Sequence, residues 1–131
     1  MNTFEECCEY LGISTELPRC QIRERQLQAE YKLSVCMMAW NKADGFVPNE
    51  KAHFYQKEGG YVPHFNLENG SLHSSGNAAT GSSTGIVFAY AYTNNEISYT
   101  SAHFGLRLPL KTYERAVDFG KTFLDIFNEL I

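Results

Sequence analysis

Residues 61–74 read Tyr-Val-Pro-His-Phe-Asn-Leu-Glu-Asn-Gly-Ser-Leu-His-Ser. Asn69-Gly70 is the strongest short hairpin signal in the chain, because both residues tolerate positive φ and such a pair matches the right-handed twist of the strands it joins. The dipeptide predicts a strand over 61–68, a tight reversal, and a short returning strand over 71–74. The apolar period is two around this turn and helical on either side of the strand region, which places an antiparallel sheet at the centre of an α+β chain.

Outward from the turn, 53–57 is a further candidate strand, reaching 61–68 through Glu58-Gly59-Gly60. Residues 75–85 are rich in Ser, Gly, Ala, Asn and Thr and are expected to form a loop. The stretch 86–93 is a strand, Asn94-Asn95 a turn, and 97–108 the last strand, stopped by Pro109. No helical crossover separates the strands, so the expected sheet is an antiparallel meander of about four to five strands, packed on one face by N-terminal and C-terminal helices. Residues 1–131 are expected to form a single domain, since no repeat or linker interrupts them.

The helices announce themselves through their caps. Thr3 and Glu6 have capping-box spacing, Phe4, Cys7, Cys8 and Leu11 share a face, and Gly12 followed by Ile13 supplies a left-handed stop. A longer helix is predicted over 20–42, with Leu27, Tyr31, Val35 and Met38 at helical spacing and Leu33, Cys36, Met37 and Trp40 widening the apolar face. Asp44-Gly45 ends it, and Pro48 prevents a restart. Thr112 caps a final helix over 113–130 with a stripe of Tyr113, Val117, Gly120, Phe123 or Leu124, Phe127 and Leu130. Gly120 inside that helix implies a close approach to the long helix or the sheet.

Composition bounds the function. The 131 residues are 44% hydrophobic and 14% aromatic, with 8 Tyr and 9 Phe, enough for a folded core. Eleven Lys and Arg stand against 15 Asp and Glu, a formal charge of −4, and no basic run exists, so phosphate-neutralising nucleic-acid binding is not expected. The first eleven residues carry Glu5, Glu6 and Glu9 and do not resemble a signal peptide. No apolar run approaches the roughly 20 residues of a transmembrane helix, so a cytoplasmic protein without membrane contact is expected. Cys7, Cys8, Cys20 and Cys36 show no C-x-x-C spacing and are expected as free thiols, all four in helical sequence.

Few stretches carry chemistry. Gly81-Ser82-Ser83-Thr84-Gly85 spells the G-x-S-x-G of a serine hydrolase elbow, with Glu96 and His103 following in hydrolase order. An elbow needs a strand-to-helix turn, whereas here a loop feeds a strand, so Ser83 is expected to be a loop residue. Gly76 and Gly81 have P-loop spacing, but Ser82 stands where the lysine is required. Around Gly45, Trp40 and Lys51 fall at calcium-loop positions one and twelve and cannot ligate the ion. His53, His64, His73 and His103 all fall in the sheet region without H-x-x-x-H spacing; neighbouring strands could gather two or three of them, against the simpler expectation of surface histidines. Along 97–108, Thr100, Ala102, Phe104, Leu106 and Leu108 belong toward the helices, and Tyr99, Ser101, His103, Gly105 and Arg107 toward the opposite face.

Tyr31-Lys32-Leu33-Ser34-Val35, Ala39-Trp40-Asn41-Lys42-Ala43-Asp44-Gly45-Phe46-Val47-Pro48, Tyr61-Val62-Pro63-His64-Phe65 and the ending from Gly105 to Phe123 resemble a group of small uncharacterised proteins encoded in Bacteroidales genomes and their phages or mobile elements. Ile13-Ser14-Thr15-Glu16-Leu17-Pro18 fits as well, so the resemblance spans most of the chain. This chain departs from it at Gly105-Leu106-Arg107-Leu108-Pro109-Leu110-Lys111, where the group shows Gly-Ser-Arg-Leu-Cys-Phe-Lys. The resemblance implies a bacterial or phage-derived setting and an accessory role, and it implies no site residues.

The functional expectation is therefore a small cytoplasmic interaction module without catalysis, cofactor or metal. Its contact surface would be the outer sheet face around Tyr55, Tyr99, His103 and Arg107, and its partner another protein or a second copy. The alternative is a small hydrolase or metal-dependent enzyme using clustered histidines or Ser83.

Overall fold

The Asn69-Gly70 reversal is present, with φ of 52° and 77° at its two residues. It joins β1 (Tyr61–Glu68) to β2 (Ser71–Thr80) as an antiparallel hairpin in the register Glu68↔Ser71, Leu67↔Leu72, Asn66↔His73 and Phe65↔Ser74. The computed structural model describes residues 1–47, 60–80, 86–93, 96–102 and 109–131, with the backbone alone over 79–80, 86–93 and 96–102. The candidate strand 53–57, the turn Asn94-Asn95 and the motif at 81–85 lie outside the described residues.

The returning strand is longer than expected. Residues 75–80, anticipated as loop, continue β2, because the ladder resumes at Pro63↔Ala78, Val62↔Ala79 and Tyr61↔Thr80. Between the two ladders, His64 stands opposite Ser75, Gly76 and Asn77. This bulge holds because Ser75 Oγ donates to the His64 carbonyl at 2.8 Å and Gly76 takes φ of 71°. The small residues that looked like loop composition are those a bulge needs.

The expectation of an antiparallel meander is met in part. The antiparallel sheet with described side chains is the two-stranded hairpin, not four to five strands. Beyond it the backbone alone runs extended through β3 (Ile86–Thr93) and β4 (Glu96–Ala102), in the order β2-β1-β3-β4. β3 pairs with β4 antiparallel but lies parallel to β1, through Phe65↔Ala89 and Leu67↔Ala91, so the order is not that of a meander. The outer edge of β2 is already engaged: Asn128 Oδ1 accepts from the Leu72 N–H at 2.7 Å, and Asn128 Nδ2 donates to the Leu72 carbonyl at 3.1 Å. One side-chain amide thus supplies what the peptide group of a neighbouring strand would.

α1 (Phe4–Leu11) forms as its caps dictate. Thr3 Oγ1 accepts from the Glu6 N–H at 3.1 Å, and Gly12, at φ of 72°, closes the far end while the Ile13 N–H donates to the Cys8 carbonyl. α2 (Glu24–Asp44) starts four residues later than expected, after Arg23, which sits in the left-handed region at φ of 52°. Its buried centre is Leu33, Cys36, Met37 and Trp40, whereas Met38 is exposed. The expected final helix is two, α3 (Tyr113–Thr122) and α4 (Leu124–Asn128), broken at Phe123. The break redirects the chain so that Phe123, Phe127 and Leu130 are all buried, while Tyr113, expected inside, is partly exposed.

The expected packing of the sheet needs correction for its N-terminal side. The main contacts with the hairpin are those of α3 and α4; α2 packs on α4 and, through Trp40 and Asp44, on α3, and α1 packs on α2. Phe119 is the centre of this stack, edge-on to Trp40 at 5.1 Å and tilted against Phe123 at 4.7 Å, while Phe127 meets Phe65 of β1 at 4.7 Å.

The close approach implied by Gly120 is to the sheet. A Cβ there would lie 2.7 Å from Pro63 Cβ and 3.3 Å from a Phe65 ring carbon. Gly120→Ala should therefore lower stability by about 1–3 kcal/mol in urea unfolding, overpacking outweighing the gain in helix propensity. Asn128→Asp should cost about 1–3 kcal/mol, because a carboxylate cannot donate to the Leu72 carbonyl. The same scan should show that loss shrinking as pH falls toward about 4, because the folded state favours the protonated acid.

Candidate functional site

Trp40 and Asp44 are one helical turn apart on α2, and Arg115 lies in the first turn of α3, which Thr112 caps by accepting from the Arg115 N–H at 3.1 Å. Packing of Phe119 on Trp40 brings the three together. The Arg115 guanidinium lies 4.0 Å from the centre of the Trp40 ring, and its Nε donates to Asp44 Oδ2 at 2.8 Å. Trp40 is itself buried, and its Nε1–H donates to the Met1 carbonyl at 3.0 Å, which fixes the start of the chain beside the ring. Lys111 Nζ donates to the Asp44 carbonyl at 3.2 Å, a second tie between the C-terminal segment and the end of α2.

A cleft of about 290 Å³ opens over this arrangement, lined by Asn2, Trp40, Arg115, Asp118, Lys121 and Thr122 with Met1. A second cleft of about 240 Å³ shares Asn2 and Thr122 with it and is lined besides by Thr3, Phe4, Glu5, Lys32, Phe123, Asp125 and Ile126. Together they form a furrow between the N-terminal segment and the α3–α4 pair. The first cleft is walled by two cations and a carboxylate, Arg115, Lys121 and Asp118, and the second by Lys32 with Glu5 and Asp125, over the largely buried rings of Phe4 and Phe123. Neither lining contains histidine or cysteine, and the charged and polar groups present suit polar recognition of an extended segment.

Tyr55, His103 and Arg107 are outside the described residues, as are Ser83 and His53. Tyr99 is in β4, its backbone opposite Tyr90. On β1, Pro63 and Phe65 face Gly120, so Val62, His64 and Asn66 share the opposite face by strand alternation. That face is not simply a solvated one at β1: Val62 is only 1% exposed and Asn66 Oδ1 is shielded without a hydrogen-bond partner. His64 and His73 share it on neighbouring strands, His73 exposed and His64 half-buried, with burial holding the His64 imidazole below its ordinary range. Among the described residues no group of three or more histidine, cysteine or acidic side chains converges as a metal would require.

The furrow was missed by sequence reasoning. Arg115, Asp118 and Thr122 recur at helical spacing on one side of α3, and Trp40 and Asp44 at i, i+4 on α2, but nothing in either pattern says that the two faces meet. No family model, curated protein or solved structure matches the chain. No helix among the described residues is long and apolar enough to cross a membrane.

The thiols are free, with Cys7, Cys8 and Cys36 wholly buried at the α1–α2 contact and Cys20 partly accessible. A hydrogen bond to Cys7, together with burial, pushes the Cys36 thiol far up, and burial pushes Cys8 up as well. Iodoacetamide at neutral pH should thus modify Cys20 alone in the native protein, and all four cysteines only after unfolding, as read by intact mass.

Proposed function

We propose that the chain is a small non-catalytic protein-binding module that receives a segment of its partner along the furrow between the N-terminal segment and α3–α4. The observation that carries this reading is the adjacency of two clefts that share Asn2 and Thr122, the first of them beside an arginine already held by Trp40 and Asp44. An extended peptide suits two adjoining clefts walled throughout by charged and polar side chains. The resemblance to small proteins of Bacteroidales and their mobile elements supports an accessory, cytoplasmic role of bacterial or phage origin. Tyr55, Tyr99, His103 and Arg107 are retained from the sequence as a second proposed contact region. The competing reading, a small hydrolase or metal-dependent enzyme, has its support in the Ser83 motif and the four histidines.

A photo-crosslinking residue at Thr122, compared with one at the exposed Glu16, tests the module in the cells that make the protein. The expected result is a partner captured at Thr122 and not at Glu16, and retained when Ser83 is replaced by alanine. Equal capture at both positions, or stoichiometric labelling of Ser83 by a fluorophosphonate, would overturn the reading. Alanine at Tyr99 and Arg107 should reduce capture; unchanged capture would remove the sheet face from the proposal.

A further inference from the structure

Resting on that reading, we infer that the anchor of the bound segment is a carboxylate seated on Arg115. Arg115 is held on two sides before any ligand arrives. Its Nε is committed to Asp44, and its face is committed to Trp40. The two Nη groups have no hydrogen-bond partner among the described residues, and the side chain, 35% exposed, lines the larger cleft. A guanidinium so fixed presents its remaining N–H groups as a planar fork, the donor geometry that matches a two-oxygen anion, with little rotamer freedom left to lose on binding.

Charge selects among anions. Around the cleft, Arg115 and Lys121 face Asp44 and Asp118, two cations against two carboxylates, on a chain whose formal charge is −4. A single negative charge can be accommodated by the free edge of Arg115 and the ammonium of Lys121. A phosphate dianion would meet Asp118 with its second charge uncompensated. Size agrees: about 290 Å³ is at the lower end for ligand pockets and suits a side chain with its adjoining backbone rather than a cofactor. Asp118, exposed on the wall, is the built-in competitor for the same guanidinium and ammonium.

The test is an NMR titration of the full chain with the end-blocked peptide Ala-Glu-Leu-Ala, its Ala-Gln-Leu-Ala counterpart, and inorganic phosphate. The glutamate peptide should shift the Arg115 Nε–Hε signal and the amides of Lys121 and Thr122. The glutamine peptide should bind about tenfold more weakly, the loss of one charge-assisted contact. Arg115→Lys should abolish the difference between the two peptides. Lys121→Gln and Asp118→Asn alter exposed side chains and should leave the fold intact, the first weakening the glutamate peptide and the second tightening it, each by about threefold. Equal binding of both peptides, no shift from either, a stronger response to phosphate, or an Asp118→Asn variant that does not bind the glutamate peptide more tightly would each overturn the carboxylate anchor. Failure here is separable from failure of the binding module. A partner still captured at Thr122 by an Arg115→Lys variant refutes the anchor and keeps the module, whereas no capture at Thr122 in the unaltered protein refutes the module itself.

Discussion

The contact between Gly120 and Pro63 sets the rest of the molecule. With no Cβ at Gly120, α3 can lie directly on β1, close enough that any side chain at that position would collide with the strand. This seat fixes not only the distance of the helix but its rotation. Ala116 and Phe119 turn inward with Gly120, Phe119 meets Trp40, and the polar side chains at 115, 118 and 122 are left on the flank that faces the N-terminal segment. The furrow is thus a by-product of how the helix is seated on the sheet. Its chemistry comes from residues that are not needed to hold the seat.

The hairpin serves this arrangement in two ways. Phe65 on its helix face meets Phe127, and its outer edge is engaged by Asn128, so α4 is tied to β2 by both a ring contact and a paired hydrogen bond. The break at Phe123 makes the tie possible, since an unbroken helix would carry Phe127 and Asn128 along the axis of α3 rather than toward β2. The bulge opposite His64 has the opposite character. It tolerates three small residues where a regular ladder would have one, and it is stabilised locally, by Ser75 and Gly76.

Arg115 illustrates how a marginal interaction becomes a structural one. A partly exposed Arg–Asp pair contributes little by itself, because solvent screens it and ordering the side chains costs entropy. Here the guanidinium also covers the face of a buried tryptophan, which is held by Phe119, Phe123 and the Met1 carbonyl. The pair therefore has a fixed place in which to form. The result is a cation with a defined free edge, a feature of recognition sites more than of ordinary surface charge.

Local rules settled a large part of the fold. The Thr3 and Thr112 caps, the glycine stops at Gly12 and Gly45, the Asn69-Gly70 turn and the bounds of β1 all follow from near-neighbour sterics and hydrogen bonding, and they are legible because each needs only a few adjacent residues. The special role of Gly120 was legible too, as a cost that some contact must offset. What the tertiary structure decided is everything that depends on which face meets which. Nothing local distinguishes the small residues of a bulge from those of a loop, so 75–80 read as loop and form strand. Strand pairing is non-local, so the neighbour of β3 could not be read, and β1 takes the place that a meander assigns to β2. The furrow joins Trp40 to Arg115 across 75 positions of chain, and only the aromatic packing of Phe119 brings them together. The sequence alone determined where the chain turns and starts its helices, because those choices are made by neighbours; packing decided where its candidate site lies, because a site is made by residues that sequence keeps apart.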